Sequence, residues 1–393
     1  MSAAANPASS QVTDLLTPLD TYMRLHAATL RRFGTRAVDL SFPNPRFLAD
    51  PHPYQTLAKL AARCDPLDLR YSPFGGFTPV RRRIAAALSK RHQLPYCWSD
   101  IIMTPGAAAA LTIALRTLLA PGEHVMLITP CWMDYPLYLA DLGLGCDPVP
   151  AAADKHLDLA AIEAAWRPHI RALIITQPVS PTGVVHNGDE LASLAALLTR
   201  LSQRHSHPIL LIADEAHRDQ VWADTCCPAP ASHYPHTLTV HSFGKAWQMP
   251  GQRTGYLAVS PHLTTPPQAA HRLIQAMRTS GHGAPTALMQ HLAAALADAR
   301  PDLNALARLQ RHARQDLRKH GIDVLEAHAT QFLYARCPTG DDGAFVTALA
   351  NRGVLTMPSH LFHEPGWFRL ALNVDIPDLS QAARIIAEEA ARA

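Results

Sequence analysis

The feature that most constrains this chain is a series of short, unbroken apolar runs separated by helical patterns. The runs are IIMTPG (101–106), HVMLITP (124–130), ALIITQPV (172–179), PILLIADE (208–215), TLTVHSF (237–243) and GYLAVS (255–260). Each is short for a helix and too continuously apolar for a strand with one face in water. Between them, GAAAALTIALRTLL (106–119) and DELASLAALLTRLSQRH (189–205) have helical spacing, the second placing Leu191, Leu194, Leu197, Leu198 and Leu201 on one face. Buried strands alternating with helices imply an α/β fold with a parallel or mixed sheet covered on both faces.

The pattern changes after residue 265. Helical stretches are expected over 266–280 and 284–299, then from Pro301, in a first-turn position, to about His320, with Gly321 as the stop. Short strand-like pieces (QFLYARC, WFRLALNV) and two helices (GAFVTALANRG, DLSQAARIIAEEAARA) follow, which suits a small α+β domain. The first 45 residues are too few to fold alone and are expected to pack on that domain. The expected division is a large domain over 46–300 and a small one from 1–45 and 301–393, in keeping with roughly 100–200 residues per domain.

Lys+Arg 35 against Asp+Glu 32 gives a formal charge of +3, too small for a nucleic-acid footprint. No apolar stretch reaches the ~18 residues of a membrane span, and the N-terminus lacks the basic and apolar regions of a secretory signal. The seven cysteines contain no CxxC and have irregular spacing, so reduced thiols in the cytoplasm are expected. His360 and His363 have only Glu364 close by in sequence, and no metal site is expected.

Of the five lysines, Lys59, Lys90 and Lys319 lie in helical or Arg-rich contexts and Lys155 in a polar loop. Lys245 differs, standing at the exit of an apolar run in TVHSFGKAWQMPGQRTGY. Desolvation there would lower its pKa and make it a nucleophile toward carbonyls. Taken alone, a structural lysine at a strand end would be the favoured reading. Asp214 closes the run ILLIAD, where a carboxylate faces the ligand crevice of an α/β sheet or merely caps the next helix. Ser242 and Arg253 flank Lys245 as phosphate donors, and Gly106 with the amides of Ala107 and Ala108 forms a strand-to-helix junction suited to an anion.

Together these residues resemble the class I/II aminotransferase family of fold-type I pyridoxal-phosphate enzymes, and the resemblance runs in order along nearly the whole chain. Tyr71-Ser-Pro-Phe-Gly-Gly76-Phe-Thr-Pro-Val-Arg81 is similar to the family's Tyr…Gly…Leu-Arg segment, Pro130-Cys131-Trp132 to the ring-stacking segment, and Pro181-Thr182-Gly183 to the end of Asn-Pro-Thr-Gly. Asp214-Glu215-Ala216-His217 is similar to Asp-x-Ala-Tyr, Ser242-Phe-Gly-Lys245 with Arg253 to the Schiff-base segment, and Phe368-Arg369-Leu370 to the carboxylate-binding arginine. The resemblance implies a mostly parallel seven-stranded sheet in the large domain and pyridoxal 5′-phosphate (PLP) on Lys245. It implies Asp214 at the pyridine nitrogen, and Ser242, Arg253, Gly106, Ala107 and Ala108 around the phosphate. Trp132 is then on the ring and Arg369 on the substrate α-carboxylate. It further implies a homodimer in which Tyr71 reaches the partner's site, acting on a free α-amino acid through an external aldimine.

Three departures stand out. Ser180 occupies the family's asparagine position and His217 its tyrosine position, both of which hydrogen-bond the cofactor's 3′-oxygen in the family. Imidazole donates or accepts and titrates near neutrality, so a transition near its ordinary pKa of about 6.5 is expected. Pro43-Asn44-Pro45 replaces a Gly-x-Pro near the substrate, and Pro43 would reshape that wall. The leading reading is an aminotransferase yielding a 2-oxo acid. The alternatives are a PLP-dependent lyase, cyclase, decarboxylase or oxidase on the same fold, and a binding module that has lost catalysis. A generic nucleotide-binding enzyme would need a GxGxxG or GxxxxGK[ST] that the chain lacks.

Overall fold

The six apolar runs form strands of one sheet in a computed structural model that describes residues 7–45, 50–63, 65, 70–264 and 268–392. The strands are β1 (Val38–Asp39), β2 (Ile101–Thr104), β3 (His124–Thr129), β4 (Gly145–Pro150), β5 (Ile170–Thr176), β6 (Leu210–Asp214), β7 (Thr237–Ser242), β8 (Gly255–Val259), β9 (Phe332–Arg336), β10 (Val354–Leu355), β11 (Met357–Pro358) and β12 (Trp367–Ala371). The helices α1 to α7 are Pro7–Phe33, His52–Ala62, Thr78–His92, Ala107–Leu118, Tyr135–Asp141, Leu159–Ala165 and Gly188–His205. Helices α8 to α13 are Phe243–Ala246, Ala269–Thr279, Ala287–Leu296, Asn304–Lys319, Asp342–Asn351 and Ile376–Ala390.

The large sheet has seven strands in the order β2-β8-β7-β6-β5-β3-β4. Only β8 runs against its neighbours, β2 and β7; the remaining pairs are parallel. Alternate residues of each strand serve opposite faces. Ala172 and Ile174 join Ile212, Val240 and Leu257 beneath α4 and α9. Leu173 and Ile175 join Leu211 against the leucine face of α7. That helix is capped by Asn187, whose side chain accepts from the amide of Glu190 at 2.9 Å. Ile101, Met103 and Tyr256 pack with α3 and α10.

A second, three-stranded antiparallel sheet orders β11-β12-β9, and β1 pairs in parallel with β10. Its core gathers Tyr22, Val38 and Leu40 from the N-terminal segment with Leu309, Phe345, Phe368 and Ile386. Among the described residues no helix is long and apolar enough to cross a membrane.

The structure departs from the sequence reading at three points. β4 was not anticipated: it is an edge strand paired only with β3, half exposed, and an edge tolerates its Pro148 and Pro150. Pro301 does not open α11, which starts at Asn304, whose amide bonds Asp302 Oδ1 at 2.9 Å. Lys155 lies in a loop as expected, yet it is buried, and its Nζ bonds Glu364 Oε1 at 2.5 Å.

Candidate active site

Because β2, β3, β5, β6 and β7 run the same way, their carboxyl ends share one edge of the sheet, and β8 begins there. The chain therefore brings the residues after five strands to a single cavity of about 300 Å³. Ala107 and Ala108 follow β2, Trp132 follows β3, Ser180 follows β5, Asp214 and His217 come from the end of β6, Ser242 ends β7, and Lys245 and Arg253 lie between β7 and β8; all line it. A larger hollow of about 660 Å³ near Trp222 and Arg300 offers no comparable chemistry. Two of its arginines are paired, Arg91 with Asp219 and Arg218 with Glu215, each at 3.3 Å.

Gly106 precedes α4 with φ +90°, a left-handed conformation that disfavours any other residue. A Cβ there would lie 2.8 Å from Arg253 Nη2. The glycine thus lets the guanidinium close over the first turn of α4, where backbone amides and the helix dipole favour an anion. Ser242 caps the short α8, accepting from Gly244 N at 3.3 Å.

Lys245 Nζ sits 5.7 Å from the centre of the Trp132 ring. Burial pushes its amine down to about 8, with Arg369 and Arg253 adding to the effect and Asp214 opposing it. Asp214 accepts from Tyr135 Oη at 2.6 Å and from the amide of Ala216 at 2.9 Å. Burial still holds its carboxyl above the usual carboxylate range. A half-buried carboxylate in that condition gains from a cation delivered by a ligand, and a pyridinium is one.

Arg369, on β12, is buried; its Nη2 donates to Ser41 O at 2.7 Å, while Nε and Nη1 have no hydrogen-bond partner among the described residues. Phe332 and Phe362 face the guanidinium at 4.3 and 4.7 Å from their ring centres. Burial lowers its pKa to about 9. Orphaned donors on a buried cation are costly unless a ligand supplies an acceptor, and a carboxylate is a charged one. Pro43 lines a narrow crevice with Lys245, Gln331 and Asn373, and the Asn44 carbonyl accepts from Asn373 Nδ2 at 3.0 Å. Tyr71 lies outside the cavity, fully exposed.

His217 corrects the sequence reading. It is buried, and burial together with the Lys245 charge pushes its imidazole down to about 3, with Arg369 adding to this against the Gln220 hydrogen bond. It is neutral throughout the working range, so no transition near neutrality belongs to it. His360 bonds Asp342 Oδ2 at 2.8 Å, and Glu364 instead serves Lys155 and Tyr334. Sequence reasoning missed Tyr135, which no local pattern ties to Asp214. It also missed Gln220, whose position three residues after His217 in HRDQ was the available signal.

A lysine of lowered pKa, a half-buried carboxylate and an anion-binding helix start, gathered at the carboxyl edge of a mostly parallel sheet, define an enzyme of the α/β class. The comparisons make the assignment specific. The family model "Aminotransferase class I and II" matches residues 37–386, and the chain belongs to that family. A probable aspartate/prephenate aminotransferase of Aquifex aeolicus is 26% identical over 337 residues, covering 81% of this chain and 82% of the relative. The N-succinyldiaminopimelate aminotransferase of Mycobacterium tuberculosis superposes with a TM-score of 0.81 at 26% identity, covering 95% and 99% of the two chains. An aminotransferase of Eubacterium rectale shares the fold with a TM-score of 0.90 at 24% identity over 94% and 95%. The chain is an aminotransferase.

Proposed function

We propose that Lys245 carries PLP and that the enzyme transfers the amino group of a free α-amino acid, giving a 2-oxo acid. The observation that carries the substrate class is the pair of unpartnered donors, Nε and Nη1, on buried Arg369. An α-carboxylate would accept from one of them, with Nη2 beside it completing the fork.

In this reading Ser242, Arg253 and the amides of Ala107 and Ala108 hold the cofactor phosphate, with Gly106 making room for Arg253. Trp132 lies against the ring, and Asp214, oriented by Tyr135, holds the proton on the pyridine nitrogen. When bound, PLP supplies an electron sink for the substrate's α-carbon. Lys245 has an amine of lowered pKa, so it can release and take up a proton at that carbon near neutral pH. The aromatic wall of Trp132, Tyr135 and Tyr138 limits water beside it.

Exposed Tyr71 suits a homodimer in which it reaches the partner's site. Domains of 46–300, and of 1–45 with 301–393, agree with the core shared by Tyr22, Leu40 and Phe368. A cytoplasmic location is consistent with the free thiols of Cys97, Cys131, Cys146, Cys226, Cys227 and Cys337. The test is an amino-acid panel with mass analysis of products, run with and without 2-oxoglutarate or pyruvate. Repeated oxo-acid formation that depends on the acceptor supports transamination; oxo acid beyond one equivalent per site, or amine or alkene, formed without any acceptor overturns it.

A further inference from the structure

We propose that Gln220 fixes His217 as its Nδ1–H tautomer, so that His217 turns an acceptor nitrogen, not a donor, toward the 3′-oxygen of the bound cofactor. The proposal rests on the PLP reading above.

The polarity follows from two backbone carbonyls. Gln331 Nε2 donates to the carbonyl of Pro43 at 3.4 Å, which leaves Gln331 Oε1 to face Gln220. Gln220 Nε2 donates to that Oε1 at 3.0 Å and to the carbonyl of Lys245 at 3.2 Å. A carbonyl only accepts, so reversing the Gln220 amide would set its oxygen against the Lys245 oxygen. Gln220 Oε1 therefore faces His217 Nδ1, at 2.8 Å. An amide oxygen also only accepts, so Nδ1 carries the hydrogen. Gln220, the middle member of this chain of bonds, is fully buried, so water does not compete for its amide. With the ring neutral, Nε2 is left with a lone pair.

The sheet places this lone pair opposite the phosphate. Ala107, Arg253 and Ser242 come from β2, β8 and β7, on one side of Asp214 in the sheet order, and Ser180 comes from β5 on the other. On a pyridine whose nitrogen meets Asp214 and whose C4 substituent meets Lys245, the phosphate arm and the 3′-oxygen lie on opposite edges. The 3′-oxygen edge thus falls toward Ser180 and His217. An acceptor there favours the 3′-hydroxyl over the 3′-oxyanion, since only the hydroxyl has a hydrogen to give. The proton moves between the 3′-oxygen and the nitrogen linking Lys245 to the cofactor, with no bond to carbon changed.

Two measurements test this. In apoprotein labelled with ¹⁵N-histidine, the His217 signals, assigned by their loss in His217→Gln, should show a protonated Nδ1 and a bare Nε2. Protonation at Nε2 overturns the tautomer, with or without cofactor. In PLP-loaded protein the near-ultraviolet band of the 3′-hydroxyl form should dominate the visible band of the 3′-oxyanion form. His217→Tyr, which supplies a phenol donor, and Gln220→Glu, whose charge turns His217 into a donating imidazolium, should each move the band ratio toward the visible by about tenfold or more. An unchanged ratio in both, with PLP bound to each, overturns the proposal. Failure of the wild type to bind PLP refutes the earlier reading instead, and the apoprotein signals still decide the tautomer.

Discussion

Tyr135 donates a 2.6 Å hydrogen bond to Asp214, joining residues 79 apart in sequence at the floor of the cavity. The Tyr135 hydroxyl is buried and held well above its usual pKa by that burial and by Asp214, so it remains a donor at any working pH. It is one of the groups that keep Asp214 ionised against its own burial. Tyr135→Phe removes a bond to a charged group, worth about 1.5–3 kcal/mol. Turnover should fall roughly 10–100-fold while PLP still binds through its phosphate contacts. Without this bond the Asp214 carboxyl rises further, so any loss of rate on the acid side should begin at higher pH. Wild-type kcat/KM in the variant would contradict this role.

Gly106→Ala adds a Cβ 2.8 Å from Arg253 Nη2 at a position with φ +90°. Arg253 must then withdraw from the start of α4. The dissociation constant for PLP, measured by equilibrium dialysis of the apoenzyme, should rise at least about tenfold, the equivalent of one charge-assisted hydrogen bond. An unchanged constant would separate Arg253 from phosphate binding.

The strands that carry the site were legible because strands buried on both faces leave continuous apolar runs, as ALIIT does in β5. Residues at their ends, among them Asp214 and Lys245, could be picked out for the same reason. β4 was hidden because an edge strand needs neither continuous apolarity nor every amide, and GCDPVP has neither. Tyr135 was hidden because its meaning lies in a contact to Asp214 that only the folded sheet creates. The His217 titration was misjudged because burial, which a single sequence does not display, decides an imidazole's pKa.

Arg369→Lys keeps the charge and loses the fork. With Nε and Nη1 as the free donors, kcat/KM for free amino acids should fall about 10–100-fold, through KM more than kcat. Their decarboxylated amines, which bring no carboxylate, should be affected far less. Equal losses for both substrate types would remove Arg369 from carboxylate recognition.

Lys245 sets a pH dependence in the apoenzyme. Its folded pKa of about 8 lies below the unfolded value of about 10.4, so the folded state binds fewer protons between those values. The burden on stability is complete below about 8 and is relieved as pH rises toward the unfolded value. Lys245→Met should therefore stabilise the apoenzyme at neutral pH, by about 1–3 kcal/mol, and its advantage should shrink above pH 8. Thermal unfolding of both proteins across that range checks the sign; a destabilised variant at neutral pH would show that Lys245 is not under strain from burial.

The most direct measurement is borohydride reduction of the PLP-loaded enzyme followed by peptide mass analysis. The expected result is a single phosphopyridoxyl group on the peptide containing Lys245, absent from Lys245→Ala. Label confined to Lys59, Lys90, Lys155 or Lys319, with Lys245 unmodified, would contradict the assignment of the catalytic lysine and the active site built around it.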